Sequence, residues 1–339
     1  MKVPGLVTIM VPVLNGELFL PWALDSLLAQ DYPQFEIVVL DNQSTDRTAE
    51  ICREYKRRDG RVRYVPDTVN RISHDAANHL ATFITGEFCM IACDDDLWAP
   101  DFLCVLVKYL QLHPDVGLAF PNACYVDVEG NRGTQRLLSK RNLYARDDSP
   151  LANVWHYLGQ RRVVPTIFGV YRSDAYLAAL PFDTFDETIA DVDNLFLINL
   201  MVQTKVHAID EVLFFYRNKY RGYDLSLTSG SPKGKSVFDE WWFFAQHQWR
   251  FVKKIAEVVN GARLNWIVKR ILRLRSWYTF LIAITVLRLR ALIGRALILL
   301  RFREGPPVKK DIHFEKRSTA LRAVGYDPVK RNDVSKEYP

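Results

Sequence analysis

The sequence predicts an α/β domain built on a largely parallel sheet, and three observations lead there. Short apolar runs rich in β-branched residues alternate with helix-like segments of about ten residues as far as His113. Several of those runs end in a polar residue: Asn15, Asp41, and the acidic triplet Asp94, Asp95 and Asp96. The chain, at 339 residues with 49% hydrophobic and 25% charged, can bury a substantial core.

The first run, Leu6 to Val13, stops at Asn15-Gly16. A helical pattern follows from Leu18 to Gln30, where Leu20, Ala23, Leu24, Leu27 and Leu28 recur at spacings of three and four. Phe35 to Leu40 predicts a second strand ending at Asp41, and Ser44, Thr45 and Asp46 supply cap residues for a helix to about Tyr55. Val62 to Val65 reads as a strand, Ser73 to Phe83 as a helix, and Phe88 to Ala92 as the strand that runs into the triplet.

Beyond it, Asp101 to His113 reads as a helix, and Val116 to Phe120 and Cys124 to Val128 as two strands. The segment from Gly133 to Pro150 is polar and basic, which predicts a surface loop. Ser173 can cap a helix to Leu180, Asp191 precedes the apolar run Leu195 to Met201, and Val212 to Phe215 is strand-like.

Composition narrows the function. The first ten residues lack a basic start and a continuous apolar core, which predicts cytoplasmic residence. Five cysteines without C-x-x-C spacing read as reduced thiols. The net charge of +6 is uneven, because Arg250 to Lys310 holds 15 Lys or Arg against 2 Asp or Glu, leaving the remainder at −7. It runs on from an aromatic stretch, Phe238 to Phe251, that holds Trp241, Trp242 and Trp249. Its longest charge-free block, Ser276 to Leu287, has 12 residues, short of the roughly 20 that span a bilayer. An interfacial helix on an anionic membrane face suits it, as does packing against the core or a partner. Nucleic acid fits poorly, since no recognition module accompanies the charge.

In parallel sheets, ligands bind at the carboxyl ends of strands, which is where Asn15, Asp41 and the triplet would collect. Three adjacent carboxylates repel unless solvent or a cation shares the charge. They could equally cap a helix starting near Pro100. Neither G-x-G-x-x-G nor G-x-x-x-x-G-K follows the first strand, so a diphosphate would be met by a metal on carboxylates plus a basic residue such as Arg71.

Pro12-Val13-Leu14-Asn15, the run Phe35 to Asp46 (FEIVVLDNQSTD), Asn70 to Asn78, Gly86-Glu87-Phe88 and Asp94-Asp95-Asp96 resemble the nucleotide-sugar-binding half of family 2 glycosyltransferases over residues 5 to 217. The resemblance implies a GT-A fold: a Rossmann-like, mostly parallel sheet flanked by helices, here with a helical C-terminal extension. It implies an inverting enzyme that uses Mn²⁺ or Mg²⁺. Pro12, Asn15, Asp41, Arg71, Asp94 and Asp95 would then border the donor, and Asp95 and Asp96 would hold the metal. Cys93 stands where the family's metal motif carries its first Asp, and Ala190 stands where an acid precedes the base. Asp191 resembles that base, with Asp193 as fallback, while an Asp there could also simply cap a helix.

These readings divide the chain into a catalytic domain over 1–225, a basic, aromatic helical extension over 226–305 and a polar tail over 306–339. They predict transfer of a sugar from a nucleoside-diphosphate sugar, UDP favoured, to a hydroxyl of a glycan or lipid-linked acceptor. Envelope polysaccharide synthesis at the inner face of the cell membrane is the expected setting. A non-catalytic nucleotide-sugar-binding component of an envelope assembly complex is the alternative.

Overall fold

The structure, a computed structural model, describes residues 2–71, 73–137, 150–159, 164–183, 191–217, 237–278, 280–281 and 285. Residues 138–149 of the loop expected over Gly133 to Pro150, Ala190 and the tail expected over 306–339 lie outside these residues.

A single mixed sheet organises the chain, with strand order β3-β2-β1-β4-β8-β6-β9-β5 and β7 paired to β6. Its members are β1 (Val3–Val13), β2 (Phe35–Asp41), β3 (Val62–Pro66), β4 (Gly86–Ile91), β5 (Leu97–Trp98), β6 (Val116–Val126), β7 (Arg132–Arg136), β8 (Val170–Arg172) and β9 (Lys205–Arg217). Parallel pairing joins β3, β2, β1 and β4, and β6 pairs parallel with β9. Because β8 is antiparallel to both β4 and β6, six strands run in one direction. Their carboxyl ends therefore open on the same edge.

The helices are α1 (Leu20–Leu28), α2 (Thr48–Arg58), α3 (Ser73–Ala81), α4 (Phe102–Leu112), α5 (Pro150–Gly159), α6 (Ser173–Ala179), α7 (Val192–Met201), α8 (Val237–Gly261) and a further helix, α9, over 266–278. Alternation along β1 explains the layers. Val7, Ile9 and Val11 pack on one face with α1 and α4, while Met10 packs on the other with residues of α3, α6, α7 and α8. With both faces covered, central strands read as continuous apolar runs, and each fully buried Val, Ile or Leu contributes about 1.5–3 kcal/mol. The one buried polar side chain in mid-β1, Thr8, donates to Glu36 Oε1 at 2.8 Å and accepts from the Gly86 amide at 2.9 Å.

Three expectations need correction. Val116 to Phe120 and Cys124 to Val128 are not two strands but one, β6, because its irregular register with β9 keeps the ladder continuous through Asn122. Ser173 does not cap α6; its hydroxyl donates to the Gly86 carbonyl at 2.7 Å and so ties the helix to β4. The surface loop predicted from Gly133 starts as strand instead, because 132–136 (β7) pairs with β6. In the extension, Ile255 and Val259 of α8 and Leu272 of α9 are buried in the same cluster as α6 and α7, which is the packing against the core that the sequence allowed.

Candidate active site

The edge formed by the carboxyl ends of the strands carries most of the polar residues singled out in the sequence. After β1, Asn15 adopts a left-handed backbone (φ 53°), which Asn tolerates better than most residues. Its amide donates to Ser44 Oγ at 2.9 Å, and its Oδ1 accepts from the Thr45 amide at 2.8 Å. The loops after β1 and β2 are thereby clasped together. Pro12 lies beside them, paired in register with Leu40.

Asp41, at the end of β2, is buried, and both its oxygens are engaged. Oδ1 accepts from the Ser44 amide at 2.9 Å and Oδ2 from the Tyr64 hydroxyl at 2.9 Å. Burial, and then this bond to Asp41, pushes the Tyr64 phenol up to about 12. Asn42 bridges to the next loop, accepting from the Arg71 amide and donating to the Arg71 carbonyl, each at 2.6 Å. Arg71 itself pairs through Nε with Asp67 at 2.7 Å. The sequence places Arg71 at this edge, but not the clamping of it by Asn42 and Asp67.

The acidic triplet does not cap a helix. β5 intervenes, and Asp101 takes the N-cap position of α4. The four residues from Cys93 divide the work. Asp94 lies against the loop after β1: a methyl placed on Gly16 would come within 2.7 Å of its Oδ2. Cys93 Sγ and one oxygen each from Asp95 and Asp96 lie within 4.8 Å of one another.

Asp96 is 1% exposed; Oδ1 accepts from the Arg217 amide at 2.8 Å, while Oδ2 is buried with no hydrogen-bond partner among the described residues. Burial first, then the Asp95 charge, raises its carboxyl well above the usual carboxylate range. The Cys93 thiol is likewise raised well above its ordinary value, by burial first and then by Asp96, Asp95 and Asp94. An orphaned carboxylate oxygen beside a second carboxylate is a donor set that fits a divalent cation. Cys93 is the unexpected third donor, which its place in the motif, read as a lost acid, did not suggest.

Arg217 holds this loop. It is 2% exposed, so it is not a surface residue. Nε donates to the Asp95 carbonyl at 2.7 Å and Nη1 to the Asp127 and Val128 carbonyls at 2.9 Å each. Its guanidinium packs over Phe19 and Trp22, 4.8 Å from each ring centre.

Asp191 precedes α7 in a left-handed conformation, φ 63°. Capping does not explain it, because its side chain makes no bond to the helix backbone. Asn194 Nδ2 donates to Oδ1 at 2.6 Å, and His247 Nε2 donates to Oδ2 at 3.1 Å. Nearby Asp193 keeps contact with solvent yet lies among enough surrounding atoms that lost hydration, and then the Asp191 charge, push its pKa up to about 6. Its charge also acts on Cys93, so the α7 end and the triplet share one electrostatic neighbourhood.

Residues 8–171 match a family model described as glycosyl transferase family 2. This segment belongs to that family. The chain is 34% identical over 108 residues to glycosyltransferase GlyA of Streptococcus pneumoniae, covering 32% of this chain and 15% of that protein. It is 28% identical over 141 residues to a PGL/p-HBAD biosynthesis glycosyltransferase of Mycobacterium tuberculosis, covering 40% and 55%. The chain thus spans at most about half the length of these relatives. Among solved structures, S. aureus TarS 1-349 in complex with UDP-GlcNAc aligns with a TM-score of 0.59 at 18% identity, over 95% of this chain and 79% of that one. At that identity the likeness establishes the GT-A architecture alone.

Proposed function

We propose that the chain is an inverting glycosyltransferase that moves a sugar from a nucleoside-diphosphate sugar, UDP favoured, to a hydroxyl of a glycan or lipid-linked acceptor. The observation that supports this is the Cys93-Asp95-Asp96 cluster at the strand-end edge that also bears Asn15 and Asp41, with the charge of Asp193, two residues from Asp191, acting on Cys93. TarS has been crystallised with UDP and with UDP-GlcNAc, which supports UDP as the first donor class to examine.

Pro12, Asn15, Asp41 and Arg71 would border the nucleotide, with Asp94 beside the β1 loop. Cys93, Asp95 and Asp96 would hold Mn²⁺ or Mg²⁺. Such an ion would neutralise the charge that grows on the departing diphosphate. Asp191 would accept the proton of the acceptor hydroxyl as its oxygen bonds to the anomeric carbon and the bond to the diphosphate breaks on the opposite face. A buried Asp41 with both oxygens engaged is rigid, which suits recognition of a fixed base edge.

Asp191→Asn tests the reading. Sugar transfer is expected to collapse by about 100-fold or more while donor affinity survives. Wild-type transfer in the variant removes Asp191 as the base, and donor binding without any turnover by the native chain supports the non-catalytic alternative.

Among the described residues no helix is long and apolar enough to cross a membrane. On α9, Trp266, Ile267, Leu274 and Tyr278 are exposed beside exposed Arg270 and Arg273. Aromatic and aliphatic side chains interleaved with arginine suit the interface of an anionic leaflet, where each basic residue contributes about 1 kcal/mol. That face supports our reading of peripheral attachment beside a lipid-linked acceptor, in the setting of envelope polysaccharide synthesis. Equal sedimentation of native protein and of an R270E/R273E/W266S variant with phosphatidylglycerol vesicles would remove it.

A further inference from the structure

The carboxylate of Asp191 is held from two sides by residues far apart in the chain. Asn194, one turn along α7, donates to Oδ1 and is itself bonded to the Tyr157 hydroxyl of α5. On the other side His247, 56 positions away on α8, donates to Oδ2 at 3.1 Å, with Gln248 Nε2 at the long distance of 3.4 Å from the same oxygen. His247 is 4% exposed, so its ring is fixed by packing rather than free to sample solvent. Its helix is fixed too: Val252, Ile255 and Val259 are buried, and Lys254 pairs with Asp183 at 3.3 Å.

A carboxylate that must meet an acceptor hydroxyl within hydrogen-bond reach gains from such clamping. Displacement of a reacting group by about 1 Å can cost on the order of 100-fold in rate. The backbone at Asp191 is left-handed, so the direction of its side chain is set by these partners, Asn194 on one oxygen and His247 on the other.

We propose that His247 is the positioning residue for Asp191, and that α8, which lies outside the family-matched segment 8–171, thereby completes the active site. This rests on reading Asp191 as the base. His247 keeps its own proton on Nε2 throughout; the proton of the acceptor hydroxyl goes to a remaining lone pair of Asp191 as the new C–O bond forms. The imidazole only fixes where that lone pair is.

The test uses the full chain with UDP-GlcNAc and Mn²⁺, following UDP release with water as acceptor, in His247→Ala, His247→Gln, Asp191→Asn and the Asp191→Asn/His247→Ala pair. H247A is expected to lower kcat by about 10- to 100-fold with donor KM changed by less than about twofold. H247Q, which retains an N–H donor, should recover to within about threefold of the native rate. The double variant should be no slower than D191N. Native kcat in H247A, or a loss that H247Q does not recover, overturns the positioning role while leaving the base reading intact, provided D191N has collapsed. Native turnover in D191N, or native protein no faster than D191N, overturns the base reading and this inference with it. Thermal melts supply a readout that needs no acceptor: H247A should lower Tm, and by less than half as much when residue 191 is Ala. Equal shifts in both backgrounds overturn the pairing.

Discussion

Replacing Arg217 with Met removes the buckle beneath the acidic triplet while keeping a side chain of similar length. Three carbonyls, those of Asp95, Asp127 and Val128, lose a charged donor at 2.7–2.9 Å, and the packing over Phe19 and Trp22 loses its cation. Hydrogen bonds to charged groups are worth about 1.5–3 kcal/mol each, but three made by one side chain do not add, and breaking a buried charged arrangement costs about 3–5 kcal/mol in all. For a domain of roughly 200 residues, each kcal/mol moves Tm by about 2–4 °C, so R217M should melt about 6–20 °C lower. Arg217→Lys should recover less than half of that, because an ammonium cannot reproduce the guanidinium's planar fork. Thermal denaturation measures the shift, and Mn²⁺ calorimetry on the folded variant measures its consequence, a weaker cation site, since Arg217 fixes the main chain of Asp95. An R217M protein that melts within about 3 °C of native and binds Mn²⁺ unchanged would refute the reasoning.

Three further outcomes follow from the same geometry. Cys93→Asp should raise Mg²⁺ affinity by about tenfold or more, because a hard carboxylate suits Mg²⁺ where a thiol does not; Co²⁺ titration should show a thiolate charge-transfer band in the native chain that Cys93→Ser lacks. Asp193, with its pKa pushed up to about 6, holds a proton in the folded metal-free protein that the unfolded chain, near 4, has released. Stability to urea should therefore fall as pH rises from about 4 to about 6, and Asp193→Asn should make that part of the profile shallower, with the raised Asp96 carboxyl keeping some slope. Gly16→Ala places a methyl 2.5 Å from Val13 Cγ2 and 2.7 Å from Asp94 Oδ2, so it should weaken donor binding measurably by calorimetry while the strand core of β1 keeps the protein folded.

The sheet was legible because local pattern sufficed. Phe35 to Leu40, Glu36 apart, and Phe88 to Ala92 are apolar on both faces, as strands of a covered parallel sheet are, and polar residues stand at their carboxyl ends. What escaped was set by contacts distant in sequence. β6 looks like two strands because Pro121-Asn122 interrupts the apolar pattern, while its continuity comes from β9, some 90 residues on. Arg217 reads as an ordinary basic residue, and only the fold brings the Asp127 and Val128 carbonyls to it.

The capping explanation for Asp191 was equally compatible with the sequence. It fails on a dihedral angle and on the direction of a side chain, neither of which a helix-start pattern contains. His247 carried one faint signal, a polar ring among the aromatic residues of a helix whose other inward positions are Ala245, Val252 and Ile255. Its partner lies 56 positions away, so no periodicity could have supplied it.

The most direct measurement is calorimetric titration of the full chain with UDP-, GDP- and dTDP-sugars, with and without Mn²⁺, in parallel with Asp95→Ala. The account predicts that one nucleotide class binds, that Mn²⁺ tightens it by about tenfold or more, and that D95A abolishes the metal effect. Folded protein that binds none of these donors, or binds one equally well without metal and in D95A, would contradict it.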